Sequence, residues 1–267
     1  MVGARRECIP RAIAGADTVC VCNATYCDDI PAPPKPVAGR ATVYESNKSG
    51  QRFRESTLTF TAHKVDKANS VDITVDPSVT YQTLYGFGAA FTDVSGQMFR
   101  SVNESLANAL IDSCFGANGM EYSMARVPIA GTDYSSRPYS YDDVDGDLQL
   151  KHFALQKEDL ELKIPYIKRA QSVSPNGFRL FGSPWAPPAW MKDNHKFNES
   201  GALRGPIGGQ YYDTFANYFV KFLDAYKSAG IEFWGLTVEN EPIQGMMNKK
   251  HPFNCLNISP SAEADFV

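Results

Sequence analysis

Four short apolar runs punctuate the later two thirds of the chain, at Thr83 to Phe91, Tyr122 to Ile129, Phe178 to Trp185 and Phe233 to Val238. None alternates cleanly between wet and dry faces, which predicts strands of a parallel sheet covered on both sides. Stretches with helical period lie between them. In the clearest, Tyr212, Phe215, Phe219, Phe222, Leu223 and Tyr226 fall on one stripe and Ala229-Gly230 supplies a stop. Ser259-Pro260 reads as an N-cap followed by proline in the first helical turn. Strand and helix in alternation predict about four βα units over residues 81–267. The chain stops about two turns into its last helix, and its end therefore reads as cut rather than finished.

Before residue 81 the rhythm is different. Ala41 to Ser46 and Gln51 to Arg54 flank the turn-rich Asn47-Lys-Ser-Gly50, which predicts a hairpin. Alternation predicts further strands at Thr57 to Ala62 and Val71 to Val75, giving an all-β region over residues 33–80. Four prolines between Ile30 and Val37 read as a linker. It follows a cysteine-rich segment, residues 1–32.

Composition narrows the class. With 43% hydrophobic and 21% charged residues, the 267-residue chain can bury a core. A net charge of −4 gives no basic field for nucleic acid. No apolar stretch reaches the roughly 18 residues of a membrane-spanning helix. Cys8, Cys20, Cys22 and Cys27 crowd into a segment poor in large apolar side chains, which favours disulfides and an oxidising compartment. A zinc site is the alternative, but Cys20-Val-Cys22 is too tight for the usual ligand spacing and no histidine lies nearby. Cys114 and Cys255 read as unpaired core thiols. Sequons at Asn23, Asn47, Asn103, Asn198 and Asn257 also favour the secretory pathway. Because the first residues carry no apolar leader, a signal peptide is expected to have been removed or to lie upstream.

The candidate chemistry sits where the predicted strands end. The fourth run leads into Glu239-Asn240-Glu241-Pro242. In parallel α/β barrels the carboxyl ends of the strands deliver side chains to one pocket. Glycoside hydrolysis needs a carboxylic acid beside the leaving oxygen and a hydrogen-bonding group at the sugar 2-hydroxyl, jobs that suit Glu241 and Asn240. Glu239 would approach from the same side, so it is expected to support the site, for instance as acceptor for Arg126, or to form a plain buried ion pair. Arg126-Val-Pro-Ile-Ala-Gly-Thr-Asp133-Tyr134 follows the second run, and Asp133 is either a sugar ligand or a turn aspartate. Trp185 and Trp190 follow the third run. Indoles stack on apolar sugar faces, and Trp190 reads as core. His63, His152, His195 and His251 show no metal-ligand spacing, so no metal or cofactor is expected.

Taken together these motifs resemble a known family. Cys8-Ile-Pro with Cys20-Val-Cys22-Asn-Ala-Thr-Tyr-Cys27, Gly86-Phe-Gly88, Phe91-Thr-Asp93, Arg126-Val-Pro128, Ser183-Pro-Trp185, Tyr218 to Tyr226 and Glu239-Asn-Glu-Pro242 are similar, in order, to lysosomal glucosylceramidases (acid β-glucosidases) of glycoside hydrolase family 30. The resemblance implies the first half of a (β/α)8 TIM barrel. Glu241 matches the general acid/base, Asn240 its neighbour at the 2-hydroxyl, and Asp133 and Trp185 residues that hold the glucose. It also implies disulfides Cys8–Cys20 and Cys22–Cys27, a glycan at Asn23, and lysosomal residence. A glucosylceramide substrate is implied, with help from a saposin-type activator and anionic phospholipid at a membrane surface. Tyr134 and Thr132 depart from the Phe and Cys expected there, so the rim beyond the sugar is expected to differ. The family nucleophile is a glutamate on a later strand, so the chain alone is expected to be nearly inactive. The competing expectation is a non-catalytic product that binds sugar, lipid or a partner of the enzyme.

Overall fold

A computed structural model describes residues 6–15, 19–29, 33–49, 51, 53–61, 68, 70–247 and 250–267. The chain divides into two compact units, Met1–Tyr85 and Gly86–Val267.

In the first unit, β1 (Pro10–Arg11) pairs antiparallel with β2 (Val19–Cys20). Disulfides join Cys8 to Cys20 and Cys22 to Cys27, the pairing the resemblance implies. β3 (Arg40–Glu45) and β4 (Arg54–Thr59) form an antiparallel ladder from Arg40 opposite Thr59 to Glu45 opposite Arg54. The two strands expected at Gln51–Arg54 and Thr57–Ala62 are therefore one. Asn47 Oδ1 accepts from the backbone N–H groups of Ser49 and Gln51. This Asx-type turn curls the chain where the second strand was expected to start. Val71–Val75 forms no strand, although its residues alternate. Val71, Ile73 and Val75 are all more than four-fifths exposed. Alternation makes a strand only where a partner edge takes the backbone hydrogen bonds. Residues 33–37 of the expected linker are irregular, while 30–32 lie outside the described residues.

The second unit carries a four-stranded parallel sheet in chain order, β5 (Gly88–Ala90), β6 (Met124–Ile129), β7 (Arg179–Pro184) and β8 (Gly235–Leu236). The first and last apolar runs yield short strands, but backbone bonds from Trp234, Thr237 and Asn240 to Leu180, Gly182 and Pro184 carry the pairing onward. Helices α1 (Asp93–Ser101), α2 (Glu104–Phe115), α3 (Ile164–Val173) and α4 (Gln210–Ser228) separate the strands, with α5 (Pro242–Met247) and α6 (Pro260–Phe266) after them. This is TIM-barrel architecture.

Local chemistry explains the boundaries. Thr92, Asn103 and Ser259 cap α1, α2 and α6 by accepting from Ser95, Leu106 and Ala262 N–H groups. At the end of α4, Gly230 (φ +80°) donates to Lys227 O and Ile231 donates to Tyr226 O, a Schellman closure at the stop read from the sequence. The α4 stripe buries Tyr212, Phe215, Phe219, Phe222 and Tyr226. Val127 and Ile129 of β6, both fully buried, belong to the same core as Ile111 of α2 and Ile167 of α3.

A candidate active site at the strand ends

Arg126, on β6, organises the carboxyl end of the sheet. Its Nη2 donates to Ser183 Oγ on β7 at 2.6 Å and to Asn240 Oδ1 at 2.9 Å. Its guanidinium carbon stands 4.4 Å from the centroid of the Trp185 ring, close enough for a cation–π contact. Burial lowers the Arg126 pKa, while the charges of Glu239, Glu241 and Asp133 oppose that shift. The fold thus gathers around one guanidinium Asp133, Trp185, Glu239, Asn240 and Glu241, which lie in three separate stretches of sequence.

The backbone of Asn240 is fixed as well. Its N–H donates to Pro184 O at 2.9 Å and to Glu239 Oε1 at 3.1 Å. Glu241 then turns into the left-handed region at φ +48°. Such a conformation in a non-glycine residue costs of order 1–3 kcal/mol and is often found at functional sites. It throws the Glu241 side chain outward, where the residue is exposed, while Glu239 is 6% exposed.

Glu239 is a different kind of carboxylate. Burial holds its pKa well above the usual range, against the Asn240 N–H bond and the charges of Lys192 and Arg126. Its Oε2 and the Arg126 Nε are both buried without a hydrogen-bond partner, and the two residues form no ion pair within 4.0 Å. The direct Arg126–Glu239 pair entertained from sequence is not formed. Asp133 lies half-buried in a turn held by other groups: Thr132 Oγ1 accepts from Tyr134 N, and Ser135 Oγ accepts from Thr132 N. Its carboxylate is thereby left for another acceptor role. Trp190 is core, 4% exposed, with Nε1 donating to Asp142 O.

Local sequence gave no individual role to three contributors. Ser183 and Thr237 share a hydroxyl contact beneath Asn240. Lys192, buried, donates to the carbonyls of Phe197, Asn198, Glu199 and Cys255, and its charge reaches Glu239. The signal was only a lysine after Trp190-Met191, which looks like any surface lysine.

Residues 84–267 match the glycosyl hydrolase family 30 TIM-barrel domain. The chain belongs to glycoside hydrolase family 30. This family 30 chain is 46% identical over 243 residues to a protein named putative glucosylceramidase 3 of Caenorhabditis elegans, covering 90% of this chain and 46% of that one. It is 40% identical over 262 residues to the lysosomal acid glucosylceramidase of Mus musculus, covering 98% of this chain and 50% of the mouse protein. The chain thus spans about half the length of the curated relatives it matches. Among solved structures, SrfJ from Salmonella typhimurium superposes with a TM-score of 0.74 at 31% identity, over 85% of this chain and 48% of that one. The endo-β1,6-glucanase BT3312 gives 0.70 at 26% identity, over 87% and 48%. In this family 30 chain, the strand-end cluster therefore lies on the face where barrel enzymes carry their chemistry.

Proposed function

We propose that the protein works as a retaining β-glucosidase of the glucosylceramidase type, with Glu241 as acid/base. The observation that carries the reading is the fixing of Asn240 by Arg126 and Pro184, which sets Glu241 at the mouth of the strand-end cluster. Exposed and next to a hydrogen-bonding amide, Glu241 can protonate the leaving oxygen and later take a proton from water. Asn240 faces the sugar 2-hydroxyl, where a hydrogen bond strengthens in the transition state. Asp133 accepts from sugar hydroxyls, and Trp185 forms an apolar wall stiffened by Arg126.

Double displacement takes a second carboxylate about 5–5.5 Å away, across the sugar. Glu239 is unsuited: it is buried, it lies on the same strand end, and its environment favours the protonated form. We assign no nucleophile among residues 1–267. Glucosylceramide, released as glucose and ceramide, is the proposed substrate. A lysosomal location belongs to the same proposal, supported by the likeness to the mouse lysosomal protein; a glycan at Asn23, a saposin-type activator and an anionic phospholipid surface belong to it as what the family resemblance implies.

The test uses the full-length gene product and two β-glucosides, one with a poor and one with an activated aryl leaving group. Glu241→Gln is expected to lower kcat/KM on the poor leaving group by about 10²–10⁴-fold and much less on the activated one. Equal losses on both would remove the acid role from Glu241.

A further inference from the structure

The loop after β6 holds a cluster unconnected with the proposed hydrolysis. Asp142-Asp-Val-Asp-Gly-Asp147 places four carboxylates in six residues, and His152 follows. Acidic runs are ordinarily solvated, and Asp143 and Asp145 are exposed in the ordinary way. Asp142 is not. It is 1% exposed; Oδ1 accepts from Val144 N at 3.2 Å, and Oδ2 is buried with no hydrogen-bond partner.

That carboxylate faces two others of the cluster. One oxygen of Asp142, one of Asp147 and one ring nitrogen of His152 all lie within 4.8 Å of each other. Asp147 Oδ2 meets His152 Nδ1 at 2.8 Å and accepts from its backbone N at 2.9 Å. No lysine or arginine pairs with either aspartate among the described residues. The Asp142 pKa is raised by burial and by the nearby Asp147 charge. Buried, with no lysine or arginine beside it and one oxygen unpartnered, the Asp142 carboxylate is costly unless a proton or a cation neutralises it.

We infer that Asp142, Asp147 and His152 form a zinc-binding site. Two carboxylate oxygens and an imidazole nitrogen suit zinc, which takes such ligands at about 2.0–2.2 Å and leaves a fourth position for water. In a tetrahedral arrangement those bonds set ligands about 3.3 Å apart, within the spread the loop already has. Calcium and magnesium want more ligands, all of them oxygen. The loop is also held in place. Gly146, at φ +78°, reverses the chain so that Asp147 returns toward Asp142. The flanking backbone is pinned by Trp190 Nε1 on Asp142 O and by Tyr141 N on Tyr218 Oη. The ion would brace the loop of residues 142–152.

The experiment is calorimetric titration of the tag-free chain, stripped with chelator, with zinc and separately with calcium. One equivalent of zinc is expected, with far weaker calcium binding. His152→Asn and Asp142→Asn are each expected to weaken zinc binding by at least about tenfold. His152 is exposed, so its variant keeps the fold even if the Asp142 variant does not. A cobalt-substituted sample should lose its visible absorption in His152→Asn. Absence of zinc binding, or equal zinc affinity in His152→Asn, would overturn the inference. Neither result bears on Glu241, whose test is separate.

Discussion

Arg126 Nη2 donates to Asn240 Oδ1 at 2.9 Å, joining residues 114 positions apart in the chain. The same nitrogen reaches Ser183 Oγ while the guanidinium plane covers Trp185. Lysine offers a point charge and cannot do all three. Arg126→Lys is expected to leave the fold intact and to lower kcat/KM of the full-length gene product about 10- to 100-fold, the equivalent of one charge-assisted hydrogen bond. Unchanged kinetics would mean that the Pro184 contact alone positions Asn240.

The buried Glu239 makes stability depend on pH. Its folded pKa stands well above the unfolded value of 4.5, so the native state holds a proton that the unfolded state releases. Its contribution is complete below about 4.5 and is lost as pH rises through the folded pKa. Glu239→Gln removes that dependence. Melting temperatures from pH 4.5 to 8 should show the variant gaining on the wild type as pH rises; parallel curves would refute this.

Two glycines on the strands that flank β6 should differ in what they tolerate. A Cβ on Gly182 would meet Leu236 Cδ2 at 2.9 Å, with Ile129 and Phe222 at 3.3 Å. These are side-chain tips that can shift, so Gly182→Ala should cost about 1–3 kcal/mol. A Cβ on Gly88 would lie 1.5 Å from the Met124 carbonyl oxygen, which is backbone. Gly88→Ala should cost more, by urea midpoint, because β5 must move away from β6.

Ion pairs should divide by depth. Lys163 and Asp159, both fully buried, pair at 3.0 Å. Asp159→Asn leaves a buried ammonium without its counter-charge and should cost about 3–5 kcal/mol. The partly exposed pair of Arg169 with Asp112 is the control. Asp112→Asn should cost less than about 1 kcal/mol in the same denaturation assay.

Sequon use should follow exposure. Asn23, Asn47 and Asn103 are exposed, whereas Asn198 and Asn257 are half-buried. Glycopeptide mass spectrometry of the protein expressed through a secretory pathway should find glycans at the first three and little at Asn257, whose backbone N–H is already bound to Gly201 O.

What the sequence disclosed follows from the range of each interaction. The runs at Tyr122–Ile129 and Phe178–Trp185 became strands because burial on both faces writes itself into consecutive residues. The α4 stripe and its Gly230 stop were legible for the same local reason. Val71–Val75 was misread because alternation says nothing about whether a partner edge exists. The residues of the candidate site, from Asp133 to Glu241, could each be picked out, but the linkage that gathers them at the strand ends could not. Nothing near Arg126 names Ser183 or Asn240 as its partners. His152 shows no metal-ligand spacing in the sequence because its neighbours Asp142 and Asp147 are assembled by a loop reversal rather than by a helical spacing.

Asp159 Oδ1 accepts from Lys163 Nζ, Tyr141 Oη and Tyr226 Oη, and Lys163 also reaches Pro128 O on β6. Through that oxygen and the Lys163 ammonium, β6, the turn before α3, the loop at Tyr141 and the end of α4 are tied together. None of these can open without stranding the others' donors in an apolar interior. They should behave as one cooperative unit in hydrogen exchange, with amides of β6 and the last turns of α4 sharing a single opening free energy.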